Sequence, residues 1–312
     1  MLLAVFKNGG TWDVLAALFQ LSSSTFERLI CGFLMKVYPH MDELFVEDEA
    51  NSLSMTRLVA MGRTFKNFPC ALYAVDATFQ QSNRPLGLHN EILYAFSGKH
   101  HLYGKKVEVS FSPLGFAINV SDNVFGLIHD KTMFDNNRDF HMKMRAKRPN
   151  DYNLLDEGPL RTEYPDEWAL LADKGYQGAQ NTCRSIIPKR ATQSNRMSLQ
   201  IEQTNERISS DRIIVENWFG RHCTLWAICS EKYKWSNSLY DPIFKAGASL
   251  TNYQIRLSPL RYEDGHEYRR ILNRLKFIQD DMKMKKRLAQ EAYVARCKAR
   301  RRMELFNSQN TP

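Results

Sequence analysis

The apolar positions change period several times along the chain, and each change marks an element. Over residues 11–37, TWDVLAALFQLSSSTFERLICGFLMKV, the spacing is helical. Leu15, Leu18 and Phe19 form one stripe; Phe26, Leu29, Ile30 and Phe33 form the next. Ser24 and Glu27 have capping-box spacing, so the second helix is expected to start near Thr25. Residues 2–7 supply part of a preceding helix. The pair reads equally as a helix-turn-helix and as an ordinary helical hairpin.

The period then drops to two. Residues 71–79, ALYAVDATF, predict a buried strand, with Val75, Ala77 and Phe79 on one face and Ala74, Asp76 and Thr78 on the other. Residues 106–121, KVEVSFSPLGFAINVS, predict a hairpin turning at Ser112-Pro113-Leu114-Gly115. Ala169–Asp173 and Ser185–Pro188 predict two further strands. Residues 210–228 predict a helix entered through Ser209-Ser210, with Asp211 favourable in its first turn. Residues 135–165 are polar and read as loop. From Glu263 to about Phe306 the pattern is one long charged helix. Tyr268, Ile271, Leu275, Ile278 and Met282 form its stripe, which Lys285 interrupts, so a coiled coil is weakly supported.

Composition narrows the class. Hydrophobic residues make up 43% of 312, enough for a sizeable core. No apolar run reaches the roughly 18 residues that a membrane helix needs, and the start lacks the basic region of a signal peptide. Six cysteines lie scattered with no C-x-x-C, which points to reduced thiols in the cytosol or nucleus. The net charge of +9 is unevenly placed. Residues 261–306 hold 14 Lys/Arg against 7 Asp/Glu, and the remainder 29 against 27. Any nucleic-acid contact in the first 260 residues must therefore come from local patches.

Three acids stand in unusual places. Asp76 lies within an apolar strand, Asp173 at the end of another, and Glu216 in IIVENWF. A lone buried carboxylate costs on the order of several kcal/mol unless it is paired or metal-bound. The acids are 97 and 43 residues apart, yet two strands and a helix can bring them to one sheet edge. All three offer hard oxygen, which suits Mg²⁺ or Mn²⁺ better than Zn²⁺. The bland alternatives are a turn residue for Asp173 and an i,i+4 partner of Arg212 for Glu216.

The chain resembles the PIF/Harbinger-type DDE transposases and their domesticated endonuclease relatives. The resemblance rests on VDATF (75–79), YAFSGKHHLYGKKVEVSFSPLGFAINVS (94–121), GLIHD (126–130), LADKGYQG (171–178), IIPKR (186–190) and ISSDRIIVENWFGR (208–221), in order, over residues 70–255. It implies that Asp76, Asp173 and Glu216 are the catalytic D, D and E metal ligands, with Asp130 a further metal-site acid. It implies Mg²⁺ or Mn²⁺ as cofactor and an RNase H-like fold: an α/β mixed sheet flanked by helices. The activity implied is cleavage of double-stranded DNA at transposon terminal repeats, then joining of the 3′-hydroxyl to a target site. A Myb-like accessory protein, a nuclear location and a homo-oligomer holding two ends follow from the same resemblance. Two departures stand out: Ala77 replaces a glycine after the first acid, and SDNVFG before His129 lacks proline-glycine character.

The expected organisation is a helical, helix-turn-helix-like DNA-binding region over 1–68, whose start leaves room for a longer N-terminal domain. An RNase H-like DDE endonuclease domain follows over 69–258, and a basic helical tail over 259–312. Gly175 and Gly178 are expected to let the backbone turn beside a phosphate. Lys174 meets that phosphate or is a solvated charge. Lys99, His100, His101, Lys105 and Lys106, with Lys189 and Arg190, are candidate phosphate contacts; so are Lys143, Arg145, Lys147 and Arg148. KARRR (298–302) reads as a nuclear-import signal, a phosphate contact or a charged helix face. Trp218, Trp226 and Trp235 stack on splayed bases or pack in the core. Three function classes remain: an active endonuclease and transposase, a catalytically silent DNA- or protein-binding derivative, and an RNase H-like hydrolase acting on RNA.

Overall fold

The structure, a computed structural model, describes residues 1–85, 89–190, 198–260, 274 and 277–296. Residues 1–260 form one compact unit. Its helices are α1 (Leu2–Asn8), α2 (Trp12–Leu18), α3 (Ser23–Asp42), α4 (Asp48–Ser52), α5 (Met55–Ala60), α6 (His89–Ala95), α7 (Asp130–Asn136), α8 (Arg138–Arg145), α9 (Leu199–Leu225), α10 (Ala227–Ser230) and α11 (Tyr240–Leu257). Its strands are β1 (Ala71–Gln81), β2 (Phe96–Ser97), β3 (Leu102–Phe111), β4 (Ala117–Val120), β5 (Val124–Phe125), β6 (Ala169–Leu171) and β7 (Ser185–Ile186). Residues 261–312 form a second unit, helical over the described 277–296.

The seven strands make one mixed sheet in the order β2-β3-β1-β6-β7, with β4 and β5 also paired to β3. β1 runs antiparallel to β3 and parallel to β6, and β6 parallel to β7. The β3–β4 hairpin turns at the expected Ser112–Gly115: the Gly115 amide donates to the Ser112 carbonyl at 2.9 Å, and Gly115 takes the φ of +86° that favours glycine.

Period-two patterning gives each face of the sheet its own core. Ala71, Ala74, Val107, Val109 and Phe111 face a cluster with α3, α9 and α11, which includes Phe26, Ile30, Trp218 and Phe244. Tyr73, Val75 and Leu170 face the other, with Leu58, Phe134 and Trp168. The N-terminal helices belong to the first cluster through Val5, Phe6 and Leu15, so they share its core. The three tryptophans are packed inside: Trp218 is fully buried, Trp226 meets Phe6 edge-on, and Trp235 stacks on Trp12 at 4.0 Å.

Several boundaries differ from expectation. α3 is capped by Ser22, whose Oγ accepts from the Thr25 amide at 3.4 Å, not by Ser24 with Glu27. α9 starts eleven residues before the expected 210, capped by Ser198. Its first turns are largely exposed, so they carry no apolar stripe to read. The expected loop 135–165 contains the end of α7 and all of α8, because α8 buries His141 and Arg145 rather than aliphatic side chains. In the tail, Ile278 and Met282 are exposed; Tyr268, Ile271, Leu275 and residues 298–302 lie outside the described residues. The five described cysteines are free, and no described helix is long and apolar enough to cross a membrane.

Candidate active site

Alternation along β1 aims Asp76 at α9, on the face of Ala74 and opposite Val109 of β3. β1 is buried from Ala71 to Val75 and half-buried from Asp76 to Phe79. The acid therefore sits at the first opening along the strand. Asp173 lies two residues past β6, the parallel neighbour of β1, and precedes a single 3₁₀ turn over Lys174–Tyr176. With Ala74 paired to Leu171, the parallel strands bring Asp76, midway along β1, level with Asp173, just past the end of β6.

Arg212 of α9 joins them. Its Nη2 donates to Asp76 Oδ2 at 2.8 Å and its Nη1 to Asp173 Oδ1 at 3.3 Å. Asp76 Oδ1 accepts from the Ala77 amide at 2.8 Å. Burial pushes the Asp76 carboxyl up to about 6; the Arg212 charge and the Ala77 amide oppose that rise, while Asp173 and Asp130 add to it. The site thus has an excess of negative charge over the one guanidinium between its acids.

Asp173 and Asp130 both line a cleft of about 770 Å³, together with Lys99, Lys106, Lys174 and Arg190. Asp130 opens α7 and accepts from Lys106 Nζ at 2.6 Å through Oδ1. A Cβ on Gly175 would overlap Asp130 Oδ2. Glycine is required there for close approach of the backbone to a carboxylate, not for the sharp turn expected beside a phosphate. The turn itself falls at Gly178, whose φ is +100°.

The third acid of the expected triad is exposed. α9 turns Ile214, Val215 and Trp218 inward and leaves Glu216 exposed, so Glu216 escapes the desolvation expected from its apolar neighbours. It makes no hydrogen bond or ion pair with any described residue, and Arg212 pairs with the strand acids instead. Among the described residues, no group of three or more acids, histidines or cysteines is gathered tightly enough to hold a metal ion. Asp76 and Asp173 already share one cation through hard oxygen donors, the donor chemistry that fits Mg²⁺ or Mn²⁺.

The expected phosphate contacts divide. Lys99, Lys174, Lys189 and Arg190 are exposed, and three of them border the cleft. Arg190 donates to the Lys174 carbonyl at 2.7 Å. His100 stacks on Phe79 at 4.4 Å. Lys105 is corrected: it is 5% exposed, bonded to Asn123 Oδ1 at 2.8 Å and seated over the Tyr240 ring. Lys106 is likewise corrected from a phosphate contact to a buried partner of Asp130. Arg145 pairs with Glu167, Lys147 with Asp156, and Arg148 donates to the Leu53 carbonyl, so these three hold the fold together.

Two features of this region carry only a faint signal in the sequence. Arg212 was visible only as a neighbour of Glu216, although a cation at the centre of an apolar helix face is itself a signal. The other is a polar cluster on the opposite face of β1 and β3. Glu108, fully buried, accepts from Asn137 at 3.0 Å and lies 3.0 Å from His141 Nε2, while His141 Nδ1 meets the Tyr73 hydroxyl at 2.8 Å. Glu108 was legible as an acid inside the strand VEV. Asp211 adds an anchor beside Arg212: its carboxylate accepts from the Asn67 and Phe68 amides, each at 2.9 Å.

A family model described as DDE superfamily endonuclease matches residues 75–252, more than half of the chain. No curated protein matches, and no solved structure does.

Proposed function

We propose that this chain, which belongs to the DDE superfamily endonuclease family, is a metal-dependent DNA endonuclease and transposase of the PIF/Harbinger type. The observation that carries the reading is the meeting of Asp76 and Asp173, 97 residues apart in sequence, on one cation where β6 ends beside the middle of β1. The sheet, with β4, β3 and β1 antiparallel and β6 and β7 parallel to β1, supports an RNase H-like fold.

Asp76 and Asp173 would hold the divalent ion, with Asp130 and Glu216 as further oxygen ligands. A bound divalent ion supplies Lewis acidity that favours an attacking oxygen and takes up charge on the leaving one; two ions would serve both oxygens. The protein's own groups do the rest. Lys99, Lys174 and Arg190 hold the DNA backbone at the cleft through its phosphates. Lys106 fixes Asp130 at the rim. Water attacks the end phosphodiester and the P–O3′ bond breaks; the freed 3′-hydroxyl then attacks a target phosphodiester, whose own P–O3′ bond breaks to leave a target 3′-hydroxyl. A homo-oligomer holding two terminal repeats, a Myb-like accessory protein and a nuclear location accompany this reading by resemblance. The open side of α3 carries Arg28 and Lys36 beside Glu27, Leu29 and Phe33, so the proposed DNA-binding role of residues 1–68 rests on few cations.

The exposed, unpaired Glu216 favours a second reading, a silent derivative that binds DNA or a partner without cutting. One assay separates the two: purified protein with Mg²⁺ or Mn²⁺ on duplexes bearing the genomic flanking repeats. The active reading requires metal-dependent nicks that Asp76→Asn, Asp173→Asn and Glu216→Gln each suppress while leaving DNA binding. Binding without nicks, even with the Myb-like partner present, establishes the silent one.

A further inference from the structure

Arg212 is built into the centre of the site rather than onto its rim. Its side chain is 9% exposed, and it contacts Asp76 and Asp173 through different nitrogens of the same guanidinium. The helix that carries it is held in place next door by Asp211. A guanidinium does not lose its proton in proteins, so it cannot release these oxygens by deprotonating. The bonded arrangement is also incomplete. Arg212 Nε is buried and has no acceptor among the described residues, so leaving it forfeits less than a fully satisfied pairing would.

We propose that Arg212 is a positioning residue that competes with the divalent ion for Asp76 and Asp173. It holds the two carboxylates side by side and yields them when an ion loads. This rests on the reading above, that Asp76 and Asp173 are metal ligands. One cation between two carboxylates neutralises only half their charge, so the pair retains attraction for a second, stronger cation. The guanidinium is large, singly charged and weakly hydrated. A divalent ion brings twice the charge to the same oxygens. The consequence is a threshold: Arg212 weakens metal binding while keeping the acids from repelling each other apart.

The test is Mn²⁺ binding by the full chain without DNA, read by electron paramagnetic resonance, in wild type, Arg212→Gln, Arg212→Lys and Asp76→Asn. Arg212→Gln is expected to bind Mn²⁺ roughly tenfold or more tightly than wild type, with Arg212→Lys between them. Asp76→Asn is expected to abolish the site. Unchanged or weaker binding in Arg212→Gln, at a site that Asp76→Asn removes, overturns the competition and leaves the metal-ligand reading standing. Binding that Asp76→Asn leaves intact, or no binding in any form, overturns both. Should the Gln variant fail to fold, wild type alone decides the matter by NMR of its arginine side chains. Mg²⁺ is expected to free the Arg212 guanidinium from restricted rotation, and persistence of the restriction at saturating Mg²⁺ overturns the proposal.

Discussion

Asp156 and Asp76 are both paired with arginine, and the two sites are built with opposite charge ratios. Asp156 receives two cations: Arg184 donates to both its oxygens at 2.6 and 2.7 Å, and Lys147 adds a third bond at 2.9 Å. Asp76 shares a single arginine with Asp173. Burial pushes up the carboxyl in each case. At Asp156 the bonds and charges of Arg184 and Lys147 more than reverse it, holding the group at about 2. At Asp76 one shared guanidinium does not, and the group stays at about 6. Surplus cation makes a structural clasp; surplus carboxylate leaves capacity for another cation. The difference separates a pairing saturated with cation from one left short of it, as the proposed metal site requires.

The largest expected break in that comparison is catalytic. Asp76→Asn and Asp173→Asn are expected to lower metal-dependent nicking by roughly a thousandfold or more, the several kcal/mol that a metal site supplies. Thermal melting of Asp76→Asn at pH 7 should not fall. The fold disfavours the ionised Asp76 carboxylate, and the amide removes that charge. A nicking rate within about tenfold of wild type would remove Asp76 from the chemistry. At the clasp the pattern inverts. Asp156→Asn leaves Arg184 and Lys147 buried without their anion and is expected to cost about 3–5 kcal/mol in urea unfolding. A loss below about 1 kcal/mol would put Asp156 among weak surface pairs and dissolve the contrast.

Metal sharpens the same comparison at smaller scale. Mg²⁺ at a hundredfold over its dissociation constant should stabilise wild type by about 2.7 kcal/mol and leave Asp76→Asn unmoved, as read from melting with and without chelator. Smallest is the effect of His222, a buried ionisable group given no charge partner. It stacks on Trp218 at 4.9 Å and meets Thr251 Oγ1 at 3.0 Å through Nδ1, and burial pulls its imidazolium down to about 3. The unfolded chain takes up a proton near pH 6.5 and the fold does not. Stability from this group is therefore whole above pH 6.5 and falls as pH drops toward 3, by about 1.4 kcal/mol per unit. Urea unfolding at pH 7 and 5.5 should show wild type losing more stability, or gaining less, than His222→Phe over that drop.

What could be read in advance follows from which side chains do the packing. β1, the β3–β4 hairpin and β6 were legible because aliphatic residues alternate across two cores. α8 was not, since it buries His141 and Arg145, nor was the first half of α9, whose exposed turns have no apolar side to read. Within the site, Asp76 was legible as an acid inside an apolar strand, and Asp173 as an acid closing an apolar run. Their meeting came from the parallel pairing of β1 with β6, a long-range register that local pattern does not encode. The fate of the lysines was equally hidden. Lys99 and Lys105 look alike in sequence, and only the fold carries Lys105 under Tyr240 and leaves Lys99 at the cleft.

The Asp211 anchor extends responsibility for the cleft beyond residues 75–252. Adjacent side chains on a helix diverge by about 100°, so clamping Asp211 to the Asn67 and Phe68 backbone amides and to the Asn67 side-chain amide dictates the heading of its successor. The short stretch leading into β1 therefore acts as an aiming device, and variation at Asn67 would misdirect Arg212 without altering any acid.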